Sequence, residues 1–399
     1  MARALKFSGI FLGVSALLSL MIFGPSLDAF RSLVDNRESM AEGSEWVETT
    51  FSTFALTDYI AAHPERVSVT RLVSDPRSAE EEIHYRDSEP RTQGALSTLF
   101  LLAGYAEAFY SGEMDPGRRL NWEDTLPYLL PKLGEALHEE AYQYGRDQQL
   151  IDTRGSLTLE SALQILALYP APALSDYLLL NLGEERLTTL FETLKLTETD
   201  LPLPFSGLFV TLAPSIQEQS AEQLLDRWSS EERELFRHEV YRNTRQFFNG
   251  TRRSEWLETL KSERLGTNFM EERDLLALYP ATTARELART AKELITAHSV
   301  PADVGNRVLG WIRQDLEKSY MGRHVTRLGS LQDNRLGLLN GLAVGTTPGG
   351  ETTIQAIFFD RIHIAVWLQM SSNHLHQEFQ NRLLWDRELL ESLKQATGV

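Results

Sequence analysis

The sequence predicts an α+β fold: one antiparallel sheet built from both ends of the chain, flanked by helices, with an all-helical middle. Three observations predict it. Alternation of apolar and polar residues marks strands at 67–73 and 82–86, and again near the other end at 352–359 and 361–368. Between these pairs, residues 94 to about 320 show helical spacing interrupted by prolines and glycines, not a row of strand–helix–strand units. An amphipathic stretch at about 376–395 reads as a closing helix.

The elements follow in chain order. Arg3 and Lys6 precede an uncharged apolar stretch, residues 7–24 (FSGIFLGVSALLSLMIFG), close to the ~20 residues that span a bilayer. Pro25-Ser26-Leu27-Asp28-Ala29 offers no good pair of small residues for cleavage. Residues 1–30 therefore read as a signal anchor in preference to a removed signal peptide. The positive charges lie on its N-terminal side, so the rest of the chain is expected outside the inner membrane, in the periplasm. Residues 31–50 are polar and aperiodic and read as a linker.

Residues 51–62 have helical spacing, with Phe54, Leu56, Tyr59 and Ile60 on one face. The strands at 67–73 and 82–86 pair across the turn at Asp75-Pro76. The apolar stretch 94–111, ended by Ser111-Gly112, is too short to cross a membrane and reads as a buried helix. Within the helical middle, about 205–275 reads as a helical insertion, densely charged from residue 215 onward. Thr346-Thr347-Pro348-Gly349-Gly350 lies between strands and lacks the lysine of a phosphate loop, so it reads as a hairpin turn.

Composition excludes several functions. With 39 Lys+Arg against 56 Asp+Glu, the net charge of −17 repels a phosphate backbone, and no nucleic-acid partner is expected. The absence of cysteine excludes disulfides, thiolate catalysis, zinc–thiolate sites and lipid attachment through a cysteine. His363, His374 and His376 read as surface histidines, and no H-E-x-x-H occurs, because Tyr142 and Arg242 stand four residues after His138 and His238. No metal or other cofactor is expected.

Several segments, in order, resemble the class A β-lactamases and penicillin-binding serine hydrolases. The stretch 89–122, with Ser111-Gly112 followed by Gly117-Arg118-Arg119-Leu120, is similar to the family's nucleophile helix and its ending. Residues 157–163 (LTLESAL) and 178–183 (LLLNLG) resemble the next family helices. Thr282-Thr283-Ala284-Arg285-Glu286-Leu287-Ala288 resembles the family's TTP-x-E-[ML]-A segment. The resemblance covers about 51–200 and 277–397.

That resemblance implies chemistry for which residues are missing. The family needs a serine with a lysine one helical turn later. Ungapped counting from Gly112 puts Ala95 and Thr98 at those positions; a two-residue shift recovers Ser97, but with Phe100 at the lysine position. S-D-N falls on Pro170-Ala171-Pro172, with Ser175-Asp176 nearby but out of register. No acid follows Asp200 in LPLPFSGLF, and K-T-G falls at Leu339-Asn340-Gly341. The expectation is a pseudoenzyme or binding protein of the cell envelope. Its cleft is expected to be lined by Ala95, Ser97, Thr98, Pro170, Pro172 and Gly341, and its partner to be an envelope protein or a peptidoglycan-related ligand. The alternative is an active serine hydrolase using Ser97, with Ser175 and Asp176, on a β-lactam, peptidoglycan peptide or ester.

Overall fold

A computed structural model describes residues 36–130, 134–250, 252–262, 268–317 and 319–399. The apolar stretch 7–24 lies outside them, and no helix among the described residues is long and apolar enough to cross a membrane.

Strands β1 (Val67–Val73) and β2 (Ile83–Tyr85) join three strands from the far end of the chain in one five-stranded sheet. Two short ribbons lie apart from it, β3 (Arg91–Thr92) with β6 (Ala281–Thr282) and β4 (Arg119–Asn121) with β5 (Ser156–Thr158). The late strands are β7 (Arg327–Arg335), β8 (Leu338–Thr346) and β9 (Thr352–Phe359). The order is β2-β1-β9-β8-β7, antiparallel throughout, with Val69 opposite Ile357 and Gly341 opposite Gln332. Both ends of the chain therefore meet at β1 and β9, as the alternation predicts.

The alternation sorts residues between two cores rather than between core and water. On β9, Ile354, Ala356 and Phe358 face the helical middle, while Ile357 and Phe359 pack with Leu56, Tyr59 and the C-terminal helices. The helix Thr98–Tyr110 is apolar on nearly every side and is buried all round as the central pillar of the first core. Residues 205–279 build a core of their own, in which Phe209, Val240 and Phe247 are fully enclosed.

Three expectations need correction. Residues 361–368 are not a strand. After β9 the backbone turns at Arg361, which has a positive φ of 51°, and His363 leads into the helix Ile364–Ser372. An apolar run of that length does not distinguish strand from buried helix by periodicity, and here Val366 and Met370, one turn apart, share a buried helical side while Ile364 is buried at the helix start. The closing helix is two helices, Leu375–Leu383 and Arg387–Thr397, the second capped by Asp386 accepting from Leu389 N at 3.1 Å. Residues 36–50 are no free linker. They form the short helices Arg37–Ala41 and Ser44–Val47, with Trp46 packed edge-on against Tyr59 and His63, and Glu42 paired with Arg273.

Candidate functional site

A cleft of about 700 Å³ opens where the central pillar begins, between that helix start, the edge strand β7 and the segments 167–176 and 202–208. The chain reaches it from β3 through Gln93, whose Nε2 donates to Asp200 O (2.5 Å) and Ala281 O (2.8 Å). Those bonds fix the helix start against the loop that follows residue 196. That loop is held in turn by buried Glu286, which accepts from Thr197 N (2.9 Å), Glu198 N (3.1 Å) and Thr199 Oγ1 (2.5 Å). Thr283 caps the helix carrying Glu286, accepting from its N–H at 3.1 Å. The segment 282–288 thus holds the loop that leads into the cleft wall at 202–208.

Ala95, Ser97, Thr98, Pro170 and Pro172 all line this cleft, as do Ser175 and Asp176. Ser97 bonds to the backbone of its own helical turn. Its Oγ donates back to Gly94 O at 2.9 Å, and among the described residues no lysine, histidine or carboxylate bonds it. Asp176 is equally committed. Its carboxylate, 1% exposed, accepts from Phe205 N (2.6 Å) and Ser206 N (2.7 Å) and so caps the helix Phe205–Leu212. Burial pushes its carboxyl up to about 6, against the pull of those hydrogen bonds.

Gly341 does not belong to the cleft. It lies on β8, one strand in from the edge, and a Cβ built on it would stand 2.3 Å from Gln380 Oε1 on the C-terminal helix face. Residues 327–335 carry no clear strand signal in the sequence, and the expected K-T-G position therefore falls on β8, one strand away from the cleft. The strand that faces the cleft is β7, reading RLGSLQDNR, and it contains no lysine. Beneath Gly341, Gln380 accepts from Gln332 Nε2 through its side chain and from Gln355 Nε2 through its carbonyl, a buried amide chain crossing three strands. Gly341→Ala forces that chain apart and is expected to cost about 1–3 kcal/mol, measured as a lower denaturant midpoint. An unchanged midpoint would show that Gln380 has room to move.

Sequence reasoning missed the residues that most shape the cleft. Asp333, 3% exposed, accepts from Ala95 N through Oδ2 (2.8 Å), and its two oxygens take Arg335 Nε (2.9 Å) and Nη2 (3.0 Å). Arg335 also lies over the Phe205 ring, 5.5 Å from its centroid. Gly94 permits this approach. Its φ is +56°, and a Cβ there would fall 1.6 Å from Asp333 Oδ2. Ala95 and Asp333 are 238 residues apart in sequence, so no local pattern joins them. The positive-φ glycine just before an apolar helix was the one available signal.

No family model and no curated protein matches the chain by sequence. Solved structures do. The chain is similar to a β-lactamase from Sphaerobacter thermophilus, at 14% identity over 86% of this chain and 97% of that one, with a TM-score of 0.50. Further similarities are to PBP-A (10% identity, 82% and 96% covered, TM-score 0.47) and a β-lactamase from Chitinophaga pinensis (12%, 84% and 99%, 0.47). The first of these shows that the fold is β-lactamase-like. It leaves the activity to be argued from the cleft.

Proposed function

We propose that this chain is an exported envelope protein that uses a β-lactamase-like cleft to bind a ligand without acylating itself. The observation that carries the reading is the hydrogen bond from Ser97 Oγ to Gly94 O, in a cleft where no described base reaches the hydroxyl. A serine hydroxyl is a weak nucleophile unless a neighbouring base takes its proton. Asp176, the nearest acid in sequence to the expected second motif, is spent on two backbone N–H groups and is held in place by them. The cleft itself is large enough for a small ligand and combines apolar walls (Pro170, Pro172, Leu203) with amides from Gln314, Asn334 and Gln377. The apolar stretch 7–24 and the basic residues before it support export, with the chain retained as a periplasmic protein at the inner membrane. An envelope protein or a peptidoglycan-related molecule is the ligand expected there.

The test is covalent labelling of the purified full-length chain with a fluorescent penicillin and with a fluorophosphonate, followed by intact mass. The expected result is no adduct with either probe on a protein shown to be folded. A stoichiometric adduct that disappears in Ser97→Ala would overturn the binding role and establish a serine hydrolase.

A further inference from the structure

We infer that Asp333 is a built-in occupant of the cleft's anion site, an internal contact that excludes carboxylate ligands and restricts the cleft to uncharged or cationic ones. The inference rests on the binding reading above and narrows its ligands to those that present no carboxylate to the cleft, such as a protein segment or the sugar or amide portions of a peptidoglycan-related molecule.

Three donors converge on one carboxylate. Ala95 N comes from the start of the central pillar, and Nε and Nη2 come from Arg335 on the same strand as Asp333. A planar guanidinium meeting a carboxylate through two parallel N–H groups, with a third backbone N–H beside them, is a complete receptor for one anion. All the groups concerned line the cleft: Gly94, Ala95, Asp333 and Arg335. Arg335 keeps 31% of its side chain exposed while Asp333 keeps 3%, so the cation faces the opening and the chain's own carboxylate sits behind it.

The arrangement is fitted rather than incidental. Gly94 holds a left-handed conformation, and the space its missing Cβ leaves is taken by Asp333 Oδ2. With that oxygen in place, an incoming carboxylate meets no free backbone donor at Ala95, and its charge lies beside a like charge. Among the described lining residues Arg335 is the single cation, and Asp333 already neutralises it. Asp315 and Asp176 add further acids to the lining. An anion therefore finds repulsion where the same receptor, unfilled, would attract it. Ligands without a carboxylate escape this repulsion and still meet the lining amides of Gln377, of Gln314, whose Nε2 donates to Ile312 O (3.3 Å), and of Asn334, whose Oδ1 accepts from Ser371 Oγ (2.9 Å).

Removing the occupant should therefore create an anion receptor. The experiment compares thermal unfolding of the full-length chain, Asp333→Ala and Asp333→Ser in sodium acetate and in sodium chloride of equal ionic strength. Asp333→Ala is expected to lose stability in chloride and to recover it in acetate with a saturable rise in Tm. The unsubstituted chain should respond equally to both salts. Asp333→Ser keeps a small polar group but vacates the carboxylate's place, so it tests the site should the alanine variant not fold; a smaller acetate-specific rise is expected. The rise should vanish when Arg335→Met is added. A folded Asp333→Ala or Asp333→Ser with no acetate-specific rise overturns the inference, and so does a saturable acetate response in the unsubstituted chain. Intact mass after fluorophosphonate treatment of the same samples, with a probe that carries no carboxylate, separates the two readings. A covalent adduct on the unsubstituted chain defeats the binding role, whereas a missing acetate effect without any adduct defeats only the assignment of Asp333.

Discussion

Gly94→Ala is expected to destabilise the chain by about 2–5 kcal/mol and to displace Asp333 without making room for another anion. Two costs combine. Alanine at a φ of +56° pays about 1–2 kcal/mol for the left-handed conformation. The new methyl also lands 1.6 Å from Asp333 Oδ2, so the carboxylate must leave its three donors. Disrupting buried polar partners of this kind costs about 1–3 kcal/mol. Equilibrium unfolding in urea measures the sum, with an unchanged slope confirming that the native state is still compact. The double variant Gly94→Ala, Asp333→Ala separates the contributions. Part of the glycine effect acts through Asp333, so the double loss should fall short of the sum of the single losses. Strict additivity would mean that the methyl is accommodated without moving the carboxylate, and Gly94 would then matter only for its φ. The acetate response gives a second readout: the methyl fills the space of the carboxylate oxygen, so the acetate-specific rise of Asp333→Ala should be lost in the double variant.

What could be read from the sequence follows from how local each signal is. The strands β1 and β2 and the turn between them rest on alternation within a few residues, and the apolar length of the central pillar is visible on sight. The segment 282–288 was found by its resemblance, and its physical role is local too: Thr283 caps the helix that presents Glu286. By contrast, β8 is buried along nearly its whole length, so it shows no alternation, and its Gly341 and Gly345 look like turn residues. The run 361–368 failed for the opposite reason, because its apolar pattern suits both a strand and one side of a helix. Losing β7 moved the predicted inner-strand motif onto Gly341 and hid Asp333 and Arg335, whose meaning appears only when strand and pillar are brought together. The cleft positions Ala95, Ser97, Pro170 and Pro172 could be placed because each lies on a segment whose ending the sequence marks. The chemistry between the segments could not.

Asp176 makes the pH dependence of stability informative. Its carboxyl is pushed up to about 6 by burial, from an ordinary value of 3.8. A carboxyl raised in the folded state contributes stability that is complete below pH 3.8 and is lost as the pH rises through 6, about 3 kcal/mol across that window. His376, which is buried and not the surface histidine expected from the sequence, works in the other direction. Burial lowers it from 6.5 to about 4, so its contribution is present above pH 6.5 and is lost as the pH falls through 4. The two slopes oppose each other over the same range, and the unsubstituted chain should show little net change from these groups between pH 4 and 7. Asp176→Asn removes one of them. The neutral amide resembles the protonated acid, with one acceptor for Phe205 N and Ser206 N instead of two. Its stability should therefore lie below the parent near pH 4 only by the cost of the lost acceptor, and should rise relative to the parent by up to about 3 kcal/mol toward neutral pH, exposing the histidine slope. Urea unfolding of both proteins at intervals from pH 4 to 7 gives the difference directly. A difference that stays constant across the window would mean that the two N–H groups and the helix start beyond them fully offset the burial of the charge. Asp176 would then be an ordinary ionised cap, and the helix forming that cleft wall would be held equally well at every pH.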